Sequence, residues 1–206
     1  MAEAVVGLRS VVAGRVVIDG VDVTGMHPSQ VRAAGLAYVP EERMRDGVVA
    51  EFSVAENLIL VDHDQPPFCR RGLLRLGAIA DHCRDLVERF MVKTPTLDTP
   101  AGNLSGGNIQ KLILARELSS EPGILLASQP TRGVDIGAAE YIHRRLIEER
   151  VRGAAVLVIS EDLDEVLALS DRIAVMSEGR ILAVMDRDEA TVQRLGLQMA
   201  GSEAGA

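Results

Sequence analysis

The second half of the chain alternates between helical and strand patterns. Apolar residues recur with helical spacing over residues 108–118 and again over residues 138–150. Each of these segments is followed by a short apolar run without alternation, residues 124–127 and 154–159. Such runs are typical of central strands that are buried on both faces. The order of the elements therefore predicts a parallel sheet covered by helices, which is an α/β fold.

The rest of the chain carries signals for shorter elements. Asp19 and Gly20 stand between β-branched residues of segment 15–23, a pattern that predicts a tight β-hairpin. Residues 35–40 predict a short strand that leads into a charged, solvent-facing loop, residues 41–47. Further elements are predicted toward the C-terminus: a helix over residues 163–169 and a closing hairpin of residues 172–176 and 180–185.

Two more helices are predicted between the first strand and the later α/β part. They cover residues 53–61 and 79–90, and the breaker-rich residues 65–72 separate them. Ser53 is followed by Glu56 three residues later, which is the sequence form of a capping box. We therefore expect a helical segment that interrupts the α/β pattern.

Composition narrows the class of function. The chain has 206 residues, and 22 Lys and Arg against 30 Asp and Glu give a formal net charge of −8, which argues against nucleic-acid binding. Residues of the hydrophobic class make up 47% of the chain, enough for a core, whereas aromatic residues make up 2% and Trp is absent. Base-stacking surfaces are therefore not expected, and the length suits one full domain or one domain with an appended subdomain.

Cysteine and histidine do not indicate a metal site. Cys69 and Cys83 lack the paired spacing of zinc ligands and are too few for a disulfide framework, so we expect reduced, cytosolic thiols. The four histidines lie at no metal-ligand spacing. The longest strongly apolar run, residues 154–159, is far shorter than the about 20 residues that span a bilayer. A membrane role is therefore expected to come through a partner.

The segment most informative about function lies just before the predicted helix at residues 108–118. Ser105, Gly106 and Gly107 precede that helix, whose apolar positions predict one buried stripe. Unpaired amides and a positive dipole end make a helix N-terminus a favourable place for phosphate, and glycines let an anion approach the backbone closely. The alternative is that Ser105 merely caps a helix after a glycine turn.

Several segments together resemble the ATP-binding cassette (ABC) family. An LSGG motif is followed by a strand with a PTxGxD loop, and then by a strand that ends in a short polar turn. More narrowly, the chain resembles the second cassette of the tandem-cassette ATPases of bacterial importers for simple sugars and nucleosides. The segments that carry this resemblance are YVPEER, FSVAENL, LSGGNIQKLILAREL, QPTRGVDIGA and ISEDLDEVLALSDRIAVM.

The resemblance implies a fold and a domain organisation. It implies an ABC-type P-loop NTPase cassette over residues 1–198, with a parallel core sheet, an antiparallel edge and a helical subdomain inserted at about residues 53–103. Residues 199–206 are expected to be a disordered tail. The Walker A pattern G-x-x-x-x-G-K-[ST] does not occur in the sequence, and the resemblance places Met1 within the helix after that loop. We therefore expect the chain to begin inside a domain, as a fragment, a misplaced start codon or a disrupted reading frame would produce.

In such cassettes, ATP lies between the Walker A loop of one cassette and the LSGG motif of another. The resemblance thus implies that this chain contacts ATP held, with Mg²⁺, by a partner cassette. Five residues carry this expectation: Leu104, Ser105, Gly106, Gly107 and Asn108. Asp135 resembles the loop that crosses the interface between cassettes, and the alternative is that it is an N-cap for the helix beginning at Ile136.

Four positions depart from the catalytic pattern of the family. Ser128 stands where an Mg²⁺-supporting Asp is usual, Gln129 replaces the catalytic Glu, and Glu161 replaces the switch His. A neutral amide cannot act as general base, so Gln129 is expected to anchor its loop or orient a water. Glu41 replaces the usual switch-loop Gln and either orders Mg²⁺ or water or is a solvated loop charge. We expect no intact catalytic residue and no metal site in this chain.

The function implied is that of the ATP-binding subunit of an importer for simple sugars or nucleosides. Whether this chain alone is an enzyme stays open, and the alternatives are a non-catalytic regulatory or scaffold cassette and a nonfunctional fragment. Expected partners are another cassette, a membrane permease and, indirectly, a solute-binding protein, but no nucleic acid. The chain would lie on the inner face of the cell membrane. Phe52, Val54 and residues 43–47 are candidates for a groove that receives the permease, although Val54 and Leu58 are also candidates for the core.

Overall fold

The structure is a computed structural model that describes residues 1–199. The helices of this part of the chain are α1 (Ala2–Val5), α2 (Pro28–Ala33), α3 (Val54–Leu58), α4 (Leu76–Arg89), α5 (Gly106–Leu118), α6 (Ile136–Arg152), α7 (Leu163–Leu169) and α8 (Val192–Met199). The strands are β1 (Val17–Ile18), β2 (Val21–Asp22), β3 (Leu36–Val39), β4 (Cys69–Arg70), β5 (Leu73–Leu74), β6 (Ile124–Ser128), β7 (Ala155–Ile159), β8 (Arg172–Ser177) and β9 (Arg180–Asp186). The predicted disordered tail lies outside the described residues except for Met199, which ends α8.

A parallel sheet in the order β3-β6-β7 forms the centre of the fold. The three predicted strands are thus confirmed, and so is the α/β class. Strand β6 is central and its apolar side chains are buried, but β7 is paired on one side only among the described residues. The prediction that β7 is a central strand was therefore wrong: its neighbour on one side is an open groove, and Leu157 is 43% exposed there.

Three antiparallel hairpins accompany the sheet. The predicted turn at Asp19 and Gly20 joins β1 to β2, and the predicted closing hairpin is formed by β8 and β9. The hairpin of β4 and β5 was not predicted, because two-residue strands are too short to show alternation. It lies within the breaker-rich connection ahead of α4.

Helix α5 lies at the centre of the packing. The sequence predicted one buried stripe, but the structure buries almost every side of this helix from Gly107 to Leu118. The reason is tertiary, since α5 packs on β3, α3, α4 and α6 at once. A continuous core consequently joins the sheet to the helical segment that contains α3 and α4.

The start of α3 is organised as the capping-box pattern predicted. The Ser53 hydroxyl accepts from the Glu56 amide, and the Glu56 carboxylate accepts from the Ser53 amide at 2.8 Å. Val54 and Leu58 are buried, so they belong to the core and not to an accessible groove. Phe52, by contrast, is 42% exposed.

The charged segment after β3 is largely exposed, as predicted, but part of it is helical where a loop was predicted. Arg43–Gly47 forms one π-helical turn, called the Arg43–Gly47 turn below. Gly47 is buried, and a Cβ atom at this position would lie 2.5 Å from Ile113 Cδ1 of α5. The turn is therefore seated directly on α5, a contact that composition alone does not indicate.

One carboxylate and two guanidinium groups meet near the C-terminal end of α5. The fully buried Glu117 carboxylate pairs with Arg116 at 3.0 Å and with Arg32 at 2.7 Å. It also accepts from the Tyr38 amide of β3 at 3.2 Å. This cluster ties α2, β3 and α5 together at the back of the sheet.

An open groove of about 910 Å³ runs between β7 and β8. Its walls are mostly apolar side chains of these two strands and of α7 and α8. Among residues 1–199, no helix is both long enough and apolar enough to cross a membrane.

Candidate functional site

The N-terminal end of α5 carries three backbone amides without a partner among the described residues. The first amide of this region to be bonded is that of Ile109, which donates to the Ser105 carbonyl at 2.9 Å. Ser105 occupies the N-cap position, but its hydroxyl makes no capping bond to the backbone. The amides of Gly106, Gly107 and Asn108 therefore remain available to an anion at the positive end of a 13-residue helix.

The Ser105 hydroxyl has a different role from the capping one. It accepts from Asn108 Nδ2 at 2.9 Å, while Asn108 Oδ1 accepts from the Lys93 amide at 2.9 Å. Asn108 thus fixes the exposed Ser105 side chain and ties it to the segment after α4. The simple capping alternative does not describe this arrangement.

Gly107 is required by the close approach of α5 to α6. A Cβ atom at this position would lie 2.9 Å from the Ala138 Cβ and 3.3 Å from Asp135 Oδ2. Both neighbours sit on the first turn of α6 or its cap, where backbone positions are fixed. The second glycine of the motif therefore has a packing function besides contributing an amide without an intrahelical partner.

We expect Gly107→Ala to lower the free energy of unfolding by about 1–3 kcal/mol, since α6 must shift to admit the methyl group. Urea unfolding followed by circular dichroism measures the change. Gly77→Ala is the matched control, because Gly77 lies in α4 with open space at its Cβ position, and alanine there is expected to be neutral or stabilising by up to about 1 kcal/mol. Equal stability of Gly107→Ala and the original chain would contradict the packing argument.

A lysine beside this helix end is held by packing rather than by an acidic partner. Lys111 Nζ donates to the Met91 carbonyl at 3.3 Å and lies 4.6 Å from the centroid of the Tyr141 ring. Burial lowers the pKa of the Lys111 ammonium, and repulsion from Lys93 lowers it further. The N-terminal end of α5, next to the LSGG motif, therefore lies near basic side chains.

Asp135 begins α6 as the helix-cap alternative predicted. Its Oδ1 atom accepts from the Ala138 amide at 2.9 Å, and α6 starts at Ile136. The Asp135 side chain is exposed, and its Oδ2 atom faces the Gly107 region. A capping role and a contact to a second chain are compatible in this geometry.

The four positions that depart from the catalytic pattern lie together at the carboxyl ends of the parallel strands. Glu41 follows β3, Ser128 ends β6 and Glu161 follows β7. Gln129 joins the last two, because its amide donates to the Ile159 carbonyl at 2.7 Å and its Oε1 atom accepts from the Glu161 amide at 3.4 Å. The Gln129 side chain thus anchors its loop, which agrees with one of the roles expected for it.

Glu41 lies exposed after β3 and forms an ion pair. Its carboxylate is paired with Arg132, which lies in the loop between β6 and α6. Ser128 is buried and offers a neutral hydroxyl, and Gln129 a neutral amide. Ser128 and Gln129 therefore supply none of the carboxylate oxygens that Mg²⁺ sites use. Within residues 1–199, no three His, Cys, Asp or Glu side chains are grouped so that they could hold a metal ion.

Sequence reasoning missed the residues that hold the β6–α6 loop, residues 129–135. Arg43 donates to the carbonyls of Arg132 and Gly133 at 2.8 and 2.9 Å. From the other side, the Thr131 hydroxyl donates to the buried carboxylate of Glu165 at 2.6 Å. These partners are 34 to 90 residues apart in sequence, and no local pattern of residues signals them.

Asn57 is a second residue that sequence reasoning missed. It is fully buried, and its Nδ2 atom donates to the carbonyls of Val49, Phe52 and Ser53 at 3.0 to 3.1 Å. Its Oδ1 atom accepts from the Val49 amide at 2.9 Å. This side chain fixes the segment between the Arg43–Gly47 turn and α3, including the exposed Phe52.

Comparison with known sequences identifies related proteins. The profile of a family described as ABC transporter matches residues 1–132. The guanosine import ATP-binding protein NupO of Bacillus subtilis is 42% identical over 202 residues, which cover 98% of this chain and 40% of NupO. The glucose import ATP-binding protein TsgD13 of Haloferax volcanii is 43% identical over 203 residues, covering 98% of this chain and 37% of TsgD13. The chain thus spans about two fifths of the length of these relatives.

Solved structures share the fold. MJ1267, an ATP-binding cassette of an ABC transporter, superposes with a TM-score of 0.76 at 23% identity and covers 98% of this chain and 81% of its own. The dimeric cassette MJ0796 gives a TM-score of 0.75 at 20% identity and covers 91% and 79%. The arrangement of sheet, hairpins and helices is therefore that of an ATP-binding cassette.

Proposed function

The chain belongs to the ABC transporter family, and from that premise we propose that it is part of the ATP-binding subunit of an importer for simple sugars or nucleosides. The support for the solute class is that relatives 42 to 43% identical are named for the import of guanosine and of glucose. In this proposal, ATP hydrolysis drives uptake. The choice between sugar and nucleoside lies with the permease and the solute-binding protein.

Within the subunit, this chain supplies the LSGG side of an ATP site. The observation that carries this proposal is the set of three unpartnered amides at Gly106, Gly107 and Asn108, next to the exposed Ser105 hydroxyl. Amides and hydroxyl groups are the donors that a terminal phosphate accepts from at a helix N-terminus. The buried side chain of Leu104 anchors the LSGG segment in the core. ATP, together with Mg²⁺, is held by a partner cassette and reaches this surface from across the interface.

The chain's own strand ends do not supply the catalytic groups of hydrolysis. Gln129 is a neutral amide whose oxygen already accepts from the Glu161 amide, so it cannot take a proton from water. Glu161 would place negative charge where the terminal phosphate of a nucleotide in this chain's own site would lie. The general base and the Mg²⁺ ligands are therefore assigned to the partner cassette, and Asp135 to the interface between the two.

The remaining partners are a membrane permease and, indirectly, a solute-binding protein. The exposed Phe52 ring and the exposed Met44 side chain lie on the segment that the family resemblance assigns to permease docking. Asn57 and the contact of Gly47 with α5 hold that segment in place. We place the subunit at the inner face of the cell membrane through this contact.

Equilibrium binding of MgATP tests the division of roles between the cassettes. We expect no binding to the chain alone and binding when a first-cassette protein that carries Walker A is added, above what that protein shows by itself. Turnover by the chain alone is expected to be far below the about 1 per second of an ordinary enzyme. Isothermal titration calorimetry and a phosphate-release assay measure the two quantities.

Two results would overturn the proposal. Tight binding of MgATP to the chain alone would show a phosphate cradle within residues 1–206. Turnover of MgATP at an ordinary rate, in a preparation free of contaminating ATPases, would show that the strand ends supply a base after all.

A further inference from the structure

The Arg43 guanidinium lies in a slot between two glycines from different parts of the chain. A Cβ atom on Gly106 would lie 3.1 Å from Arg43 Nη2, and a Cβ atom on Gly133 would lie 3.1 Å from the same nitrogen. Gly106 begins α5, and Gly133 lies in the β6–α6 loop. A side chain at either position would therefore lie closer to the guanidinium than an ordinary van der Waals contact and would displace it.

Inside this slot, Arg43 binds backbone rather than acidic side chains. Its two terminal nitrogens donate to the carbonyls of Arg132 and Gly133 at 2.8 and 2.9 Å. Within residues 1–199, no carboxylate lies within ion-pair distance of it. The planar guanidinium presents its donors in a fixed fork, so two adjacent carbonyls are held in one geometry. A lysine ammonium would lack this fork.

The arginine belongs to a turn that is itself fixed on α5. Gly47, at the other end of the Arg43–Gly47 turn, packs against Ile113, two helical turns beyond Gly106. The Arg43–Gly47 turn therefore contacts α5 near its N-terminus and near its middle. Arg43 ties the β6–α6 loop to this turn, and the ion pair of Arg132 with Glu41 ties the loop to the residues just before the turn.

We propose that Arg43 is a positioning residue that locks the β6–α6 loop to the N-terminal end of α5. The functional consequence of this lock rests on the proposed function. The lock holds the amides of Gly106 and Gly107 at a fixed position relative to the Asp135 carboxylate, and in that proposal all three groups face the partner cassette. Arg43 itself contacts no nucleotide in this proposal. Without it, the loop and the helix end move independently.

Hydrogen exchange tests the lock without reference to ATP. In the full-length protein, Arg43→Met is expected to speed exchange at least threefold in peptides covering residues 129–135, where the Arg132 and Val134 amides donate within the loop. Arg84→Met is the matched control, because the exposed Arg84 pairs with Asp81 on its own helix and has no other ion-pair partner within residues 1–199. Unchanged exchange in Arg43→Met would overturn the lock.

Steady-state kinetics of the assembled importer test the consequence. If the lock positions the LSGG motif, its loss in Arg43→Met lowers kcat for ATP hydrolysis by at least fivefold. The KM for ATP stays within twofold of the original value, because ATP is held by the partner. Arg43→Lys keeps the charge but lacks the planar fork, so its kcat is expected to lie between those of the original protein and Arg43→Met. Faster loop exchange with an unchanged kcat, or Arg43→Lys equal to the original protein in both readouts, would overturn the positioning role.

Loss of stability in the variant, and failure of the proposed function itself, can each be distinguished from these outcomes. If Arg43→Met unfolds at a much lower temperature, the comparison rests on Arg43→Lys, for which an exchange rate and kcat equal to the original overturn the proposal. An original complex that neither hydrolyses ATP nor transports solute would contradict the proposed function, whereas the exchange experiment would still decide whether Arg43 locks the loop.

Discussion

Ser105→Arg is expected to abolish transport in cells that carry the complete importer, with a loss of roughly 100-fold in the rate of ATP-driven uptake, the size of effect seen when a donor to a developing charge is removed. The Ser105 side chain is exposed at the N-terminal end of α5, so arginine there is tolerated by the fold. Its bulk would cover the amides of Gly106 and Gly107 and keep a partner's phosphate from reaching them. The measurement is uptake of labelled solute at equal protein abundance.

Ser120→Arg is the matched control, since Ser120 is an exposed serine just beyond the other end of α5. This variant is expected to transport as the original protein does. The regulatory or scaffold alternative, in which no nucleotide site is ever completed, predicts that Ser105→Arg also leaves transport intact. Equal transport by the two variants would therefore reject the LSGG role and favour that alternative.

Glu117→Ala is expected to lower the free energy of unfolding by about 3–5 kcal/mol, because it leaves a buried charge without a partner. The Glu117 side chain has no exposed area, and the Arg116 side chain that it pairs with is 8% exposed. The Tyr38 amide of β3 and the Arg32 guanidinium lose an acceptor in the same change. Urea unfolding, monitored at equal protein concentration, gives the difference.

Two further variants delimit this effect. Glu140→Ala removes an exposed glutamate from α6 and is expected to change stability by less than about 0.5 kcal/mol. Glu117→Gln keeps the size and one acceptor oxygen but removes the charge, so its loss is expected to lie between the two alanine variants. A loss below about 1 kcal/mol for Glu117→Ala would show that Arg116 finds solvent or another partner, contrary to the packing seen here.

The candidate site contains some residues that a local sequence pattern predicts and others that it does not. Ser105, Gly106 and Gly107 are adjacent in the chain, so the motif, the helix start and the free amides all follow from one short segment. The packing role of Gly107 does not follow from it, since Ala138 lies 31 residues further along the sequence. A sequence does not distinguish a glycine that provides a free amide from a glycine whose missing Cβ atom allows close packing.

The strand ends illustrate the same limit. That Ser128, Gln129 and Glu161 lie near one another could be predicted, because parallel strands bring their carboxyl ends to one edge of the sheet. That the Gln129 Oε1 atom accepts from the Glu161 amide, and that Arg132 pairs with Glu41, depends on side-chain directions after each strand. Those directions are set by the turn that each loop takes, and Gln129 has a positive φ of 49°.

By itself, the sequence determined the alternation of helices and strands, the hairpin at Asp19 and Gly20, and the motif segments that carry the family resemblance. These features depend on neighbours within a few residues, where apolar spacing and turn chemistry act directly. Only the tertiary structure decided that β7 is an edge strand, that α5 is buried on nearly all sides and that Arg43 joins α5 to the β6–α6 loop. The physical reason is that burial, and hydrogen bonds such as those from the Arg43 side chain to carbonyls 89 and 90 residues away, arise from how the elements pack, and no local pattern encodes which surfaces will meet.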